Sequence, residues 1–487
     1  MMQESHSKRK DSMKTTIRSL CHNIDSIINY LAPYLPLVNC HMVEFLTNDH
    51  WNTYLPNNLK EYLDQLDLNE SLEQFWNATN SYKGNEPTEL RKWITEARKH
   101  YLEVNNDYCL SVEQLNERIK SWGGELQPEI KVKEFMNNKK SYEVQTMARA
   151  VSSVYSAASG TCCVEAGGGR GHLLTTLALG YHIPSLTVDC DPKTLSAAIN
   201  RVKVIQKQWH AIAKRIHDGA EEKPPHFNKD LQRFAQAFIT KDTDLGGVVR
   251  EMFPECKDLD TRIILTGLHT CGNLGPDSLR IFTARSQIAG LLTVPCCYHL
   301  LTEDSDVELF DVFQKEYGTG ERTQGFPMSE YLRGYRLGRN ARMLAAQSVD
   351  RVLHQRQLPA HSLLHRAMLQ VVIKKYLPNT TLKEGKLKRI SKCDTFEQYL
   401  KMADKILNLN LNLPETFYTD TQLYLDCQWK KMTLFYLIRL CLAQVVESVI
   451  LLDRILFLYE NGFEKVYLVK LFDPVLSPRC HSIVALR

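Results

Sequence analysis

Apolar positions change their period along this chain. Ile17, Leu20, Ile24, Ile27, Ile28 and Leu31 recur at three- and four-residue steps, the spacing that gathers side chains on one face of a helix. Pro33 and Pro36 close that helix. Helical patterns return over 58–66 and 87–103, with turn residues between them. After Met136, Tyr142–Ala158 reads as one helix with Val144, Met147, Val151 and Val154 on a face, ended by Gly160. Short apolar runs then alternate with longer helical stretches, the pattern of an α/β unit with a mainly parallel sheet. Strands are expected at Cys162–Ala166, Ser185–Val188, Ala237–Thr240, Ile263–Leu268 and Ile288–Val294.

From Glu303 to about Lys430 the pattern is helical and irregular. One long helix, Met432–Tyr459, precedes two strands, Val466–Leu471 and His481–Leu486, and Pro474 and Pro478 in their link suit a closing hairpin at a sheet edge. The organisation expected is a disordered tail over 1–14, an N-terminal helical region over 15–135 and a Rossmann-like core over 136–302. A mainly helical insertion over 303–430 follows, and a helix and hairpin over 431–487 complete the core.

Composition narrows the class. Among 487 residues, 44% are hydrophobic and 24% charged, which excludes a collagen, low-complexity disorder or a small disulfide scaffold. The net charge of +4 leaves nucleic-acid binding open, because such footprints are local stripes. Fourteen cysteines include no Cys-x-x-Cys pair, which argues against a zinc ribbon or a thioredoxin-type site. The first twenty residues hold no apolar run of secretory length, so a reducing compartment, cytoplasmic or nuclear, is expected. The most apolar stretch, Leu434–Leu458, is broken by Arg439, Glu447, Asp453 and Arg454. It therefore reads as a core helix and no membrane span is expected.

Glycine is scarce, 23 in all, yet Gly167, Gly168, Gly169 and Gly171 fall within five positions. They follow a strand ending Glu165-Ala166 and precede a helical stretch from His172, where backbone can approach a ligand closely. A strand 18 residues beyond Gly171 ends in Asp189, placed to accept both hydroxyls of a ribose. Glu165 would repel a dinucleotide diphosphate but suits the ammonium of a methionine moiety. S-adenosylmethionine is therefore favoured over NAD, with Glu165, Gly167, Gly169, Gly171 and Asp189 as its binding residues. An acid near the third strand is expected at the adenine, and Asp242, with Asp244 beside it, is the candidate.

Six segments in order carry a family resemblance: Met136–Val144, Val164–Leu173, Leu265–Leu274, Pro295–Leu300, Phe326–Ser329 and Leu471–Arg479. Together they resemble the methyltransferase-like protein 25 family over nearly the whole chain. That resemblance implies a class I S-adenosylmethionine-dependent methyltransferase. The family usually has His where Tyr142 stands, and Glu in place of Asp189. Some members carry the label ribosomal-RNA adenine dimethylase. However, His269-Thr270-Cys271-Gly272 stands where an adenine enzyme has Asn/Asp-Pro-Pro-aromatic. Pairing of a His-x-Cys-Gly segment with a Cys-Cys-x-His segment is also similar to tRNA 2′-O-methyltransferases, over the catalytic half alone.

His269, Cys271, Cys296, Cys297 and His299 gather at the ends of two neighbouring strands and form the candidate catalytic set. A histidine there suits a general base, the cluster suits zinc, Cys296 suits a covalent nucleophile, and small residues also simply pack. The residues leave these readings open, and no metal ligand is assigned. Arg333, Arg336, Arg339 and Arg342 recur every third residue and would form a basic helical face. The run Lys383, Lys386, Lys388, Arg389 and Lys392 would extend it. RNA is the favoured acceptor and a protein substrate the alternative, beside a silent binding protein that keeps the fold.

Overall fold

A computed structural model describes residues 2–79, 88–105, 107–130, 136–216, 231–256, 260–304, 323–380, 384–387, 390 and 393–487. It divides into two compact units, one of residues 1–27, 102–348 and 447–487, the other of 28–101 and 349–446.

The first unit is built on an eight-stranded sheet. Its strands are β1 (Cys109–Leu110), β2 (Cys162–Ala166), β3 (Ser185–Asp189), β4 (Gln232–Gln236), β5 (Ile263–Cys271), β6 (Ile288–Cys296), β7 (Lys465–Lys470) and β8 (His481–Leu486). Their order is β1-β7-β8-β6-β5-β2-β3-β4. Strands β4, β3, β2, β5 and β6 are parallel, while β8 runs antiparallel to both β6 and β7. This is a Rossmann-like class I arrangement. Every residue of β2 and β6 is buried, which is why both are mostly apolar without a regular polar alternation. The chain leaves β2 toward β3 on one side and returns through β5 on the other. The crevice at that reversal lies at the carboxyl ends of β2 and β5.

Helix Asn138–Ala157 is capped by the Asn137 side chain, which accepts from the Lys140 N–H at 2.8 Å. It lays Val144, Met147, Val151 and Val154 into the core with Cys163, Ile264 and Leu292. Burying four such side chains against the sheet contributes several kcal/mol before conformational entropy is counted. A charge at Val151 would break that face.

Several expectations are corrected. Residues 2–14, expected as a tail, are the first part of a helix, Met2–Leu31. The region 15–135 is not wholly helical, because β1 adds a short parallel edge to β7. The closing hairpin β7–β8 is therefore interior to the sheet. The third parallel strand is Gln232–Gln236 and not Ala237–Thr240. Its Arg233 and Phe234 are half-buried and its Gln236 is exposed, and that concealed the strand behind the more apolar residues that follow. The long terminal helix is two, Glu415–Leu440 and Ala443–Glu460. The apolar segment Thr416–Glu460 is long enough to cross a membrane, yet 89% of its most apolar stretch is buried inside the protein.

The second unit is helical and joins segments expected as separate regions. Phe45 meets Phe435 with ring centroids 5.3 Å apart. Arg439 donates to the carbonyls of Leu37 and Val38 at 3.1 and 2.7 Å, and the Tyr101 hydroxyl to that of Cys441 at 2.6 Å. Contacts across more than 300 residues leave no local periodicity to read.

Candidate functional site

The glycine loop leaves β2 and enters helix His172–Gly180. Gly167, Gly169 and Gly171 take φ values of +65°, +53° and +63°, a left-handed backbone that disfavours any side chain by roughly 1–2 kcal/mol. Gly168 is needed for another reason. A Cβ there would stand 2.8 Å from Glu165 Oε2 and 2.7 Å from Thr187 Cγ2.

Asp189 meets this loop directly. Its Oδ2 accepts the Gly169 N–H at 2.8 Å, and its Oδ1 accepts the Asp191 N–H at 2.9 Å. Each carboxylate oxygen has a second lone pair for a further donor. Glu165 is buried, and among the described residues its Oε2 has no hydrogen-bond partner. Burial pushes its carboxyl up to about 8, with Asp189 adding to the rise while Lys140 and Arg201 oppose it. Arg201 is tied to the loop, donating to the Arg170 carbonyl at 2.9 Å and to the Thr175 hydroxyl at 2.7 Å.

Asp242 follows β4. It is exposed and lies six residues beyond the end of β4. Asp244 pairs with Arg250 at 3.7 Å. The residue opposite Asp189 in register is Gln236, a neutral side chain at the strand tip that the misplaced strand had hidden.

The second cluster lies at the ends of β5 and β6, where Cys271 and Cys296 are register partners. The Cys271 Sγ is 3.0 Å from that of Cys296 and 3.3 Å from that of Cys297. Successive residues of a strand face opposite ways, so two adjacent cysteines would normally diverge. Cys297 takes φ +51°, ψ 47°, and this turn brings its sulfur round to the same partner. Hydrogen bonds from Cys271 and Cys296 pull the Cys297 thiol well below its ordinary value, with His299 and His269 contributing. His299 is half-buried, and burial lowers its imidazole.

His269 stands apart from the sulfurs in its partner. Its Nε2 is 3.6 Å from Glu143 Oε2, with the His269 side chain 38% exposed and that of Glu143 3%. Burial would raise the Glu143 carboxyl. The His269 contact, the Ser477 hydroxyl donating at 2.7 Å and the charge of Lys139 outweigh it and bring it down to about 2. Glu143 was not singled out from the sequence, although its segment Met136–Val144 carries the resemblance. Tyr142 receives the Asp473 N–H on its hydroxyl at 2.8 Å, so Tyr142 and Glu143 both anchor the segment 473–477.

The arginine repeat forms no single helical face. Arg333 is exposed and pairs with Glu330 at 2.5 Å. The helix begins only at Arg339, and Arg342 is fully buried, 3.3 Å from Glu303. Lys383, Lys388, Arg389 and Lys392 lie outside the described residues, as does the Lys386 side chain.

Residues 139–304 match the family model described as a methyltransferase domain. The chain carries a methyltransferase domain. Two curated relatives, both named probable methyltransferase-like protein 25, are similar along almost all of it. The mouse protein is 26% identical over 594 aligned positions, covering 96% of this chain and 97% of its own. The human protein is 27% identical over 606 positions, covering 95% and 96%. The resemblance to methyltransferase-like protein 25 thus extends well beyond the domain into the helical segments. No solved structure matches.

Proposed function

We propose that this chain transfers a methyl group from S-adenosylmethionine to an acceptor deprotonated by His269. The observation that carries the reading is the buried Glu165 oxygen without a partner beside a glycine loop held by Asp189. An uncompensated buried carboxylate is costly, and a ligand ammonium would satisfy it. Lys140, which acts electrostatically on Glu165, supplies a cation for the ligand's carboxylate. Asp189 keeps lone pairs for the ribose hydroxyls. When bound, S-adenosylmethionine supplies an electrophilic methyl on a sulfonium.

His269 is exposed enough to meet an acceptor, and Glu143 fixes its ring from behind, the arrangement of a base with an orienting carboxylate. Glu143 is a positioning residue. RNA is the acceptor in this proposal, supported by the likeness of His269–Gly272 and Cys296–His299 to tRNA 2′-O-methyltransferases. The arginine repeat no longer supports it.

The test incubates the protein with methyl-labelled S-adenosylmethionine and cell extract. Label that nuclease releases and protease does not supports RNA. Label that only protease releases moves the acceptor to protein, and no label in either fraction contradicts methyl transfer. RNA affinity should also weaken as salt rises.

A further inference from the structure

We propose that Cys271, Cys296 and Cys297 bind a zinc ion at the carboxyl ends of β5 and β6, with the His299 ring turning in toward them as the fourth ligand. The three sulfurs all lie within 4.8 Å of one another. Tetrahedral zinc with Zn–S bonds of about 2.3 Å places its sulfurs about 3.8 Å apart, so opening the present contacts of 3.0 and 3.3 Å by less than 1 Å would admit the ion. A disulfide would need about 2.05 Å.

Two further observations bear on this end of the sheet. Cys297 holds a left-handed backbone without being glycine. Strain of that kind persists where the surroundings fix it, and it often marks a functional site. Here it brings a third thiol to a pair that strand register has already joined. The Nδ1 of His299, two residues on, is buried and has no hydrogen-bond partner among the described residues. Three thiolates and one imidazole are a usual set for a closed structural zinc site. Binding releases the thiol protons to solvent, and the thiolates, once ligated, are no longer free to attack a substrate.

The ion would pin the end of β5 to the turn after β6, beside His269 and next to the cofactor crevice. Zinc binding does not depend on methyl transfer, so failure of either proposal leaves the other standing. His269 remains outside the ligand set, since its Nε2 faces Glu143.

The experiment uses the full chain, purified under reducing conditions, stripped with a chelator and incubated with zinc alone. Elemental analysis after desalting should find about one equivalent, and cobalt in place of zinc should give the intense visible absorption of a tetrahedral thiolate complex. Zinc should protect Cys271, Cys296 and Cys297 from alkylation, read peptide by peptide by mass spectrometry. Cys271→Ser and Cys297→Ser should abolish the cobalt spectrum, and His299→Ala should weaken metal affinity by at least about tenfold. Less than about a tenth of an equivalent in the folded parent, with the three thiols alkylated equally with and without zinc, would overturn the proposal. The protection assay is made on the unsubstituted chain, so it decides the matter even where a serine variant misfolds.

Discussion

The backbone N–H of Gly169 donates to Asp189 Oδ2 across 2.8 Å. The acid at the tip of β3 therefore shapes the glycine loop before it meets any ligand. Asp189→Ala should lose loop order and ribose contact together, and Asp189→Asn should keep one acceptor for the loop. Cofactor affinity is expected to fall by at least about tenfold in the alanine variant and less in the asparagine variant, since bonds to a charged group contribute about 1.5–3 kcal/mol each. Calorimetric titration of both variants checks the order, and equal losses would separate the carboxylate from the loop.

Gly168 and Gly169 should respond differently to alanine. At Gly169 the nearest atom to an added Cβ is 3.8 Å away and φ is +53°, so Gly169→Ala costs only backbone strain of about 1–2 kcal/mol. At Gly168 the Cβ would meet the Glu165 carboxylate. Gly168→Ala is expected to weaken cofactor binding more than Gly169→Ala does, even where thermal denaturation finds the two equally stable.

Glu165 gives a signed pH dependence. Its carboxyl rises to about 8 on folding because of burial, so the native state holds a proton that the unfolded chain releases. That favours the native state at low pH, and the advantage fades as pH climbs from the ordinary carboxylate value through about 8. Glu165→Gln needs no proton there. Its stability relative to the parent should therefore increase between pH 6 and pH 9 in denaturant titrations, while its affinity for S-adenosylmethionine falls. A flat difference over that range would place the carboxylate in solvent.

Arg342 and Arg333 look alike in the sequence, three steps apart in one repeat. In the fold, Arg342 is buried against Glu303, which also accepts the N–H groups of Leu337 and Gly338. Arg342→Ala leaves a buried carboxylate without its cation and should cost about 3–5 kcal/mol of stability. Arg333→Ala removes an exposed pair and should cost under about 1 kcal/mol. Chemical denaturation of both variants separates a structural arginine from a surface one.

That repeat also shows what a sequence hides. Arg333, Arg336, Arg339 and Arg342 have helical spacing, but the helix starts at Arg339, so spacing alone could not tell a face from a loop. By contrast β2 was legible to the residue, because a fully buried parallel strand between Gly160 and Gly167 leaves little choice. Strand β4 was not, since its polar Arg233 and Gln236 lie on a partly exposed edge and the apolar Ala237–Ile239 follow it. The glycine loop, Asp189 and the His269 and cysteine segments announced themselves by residue type. Glu143 did not, because a carboxylate in a helix carries no sign of the imidazole that meets it from 126 residues away. The pairing of 28–101 with 349–446 was equally silent, being made by tertiary contacts alone.

Calorimetry of S-adenosylmethionine with the purified full chain, beside Gly169→Arg and Asp189→Ala, tests the proposed cofactor site most directly. Micromolar binding by the parent, lost in both variants while their folds persist, is the expected result. A folded parent that releases no heat and shows no shift in melting temperature with the cofactor would contradict it.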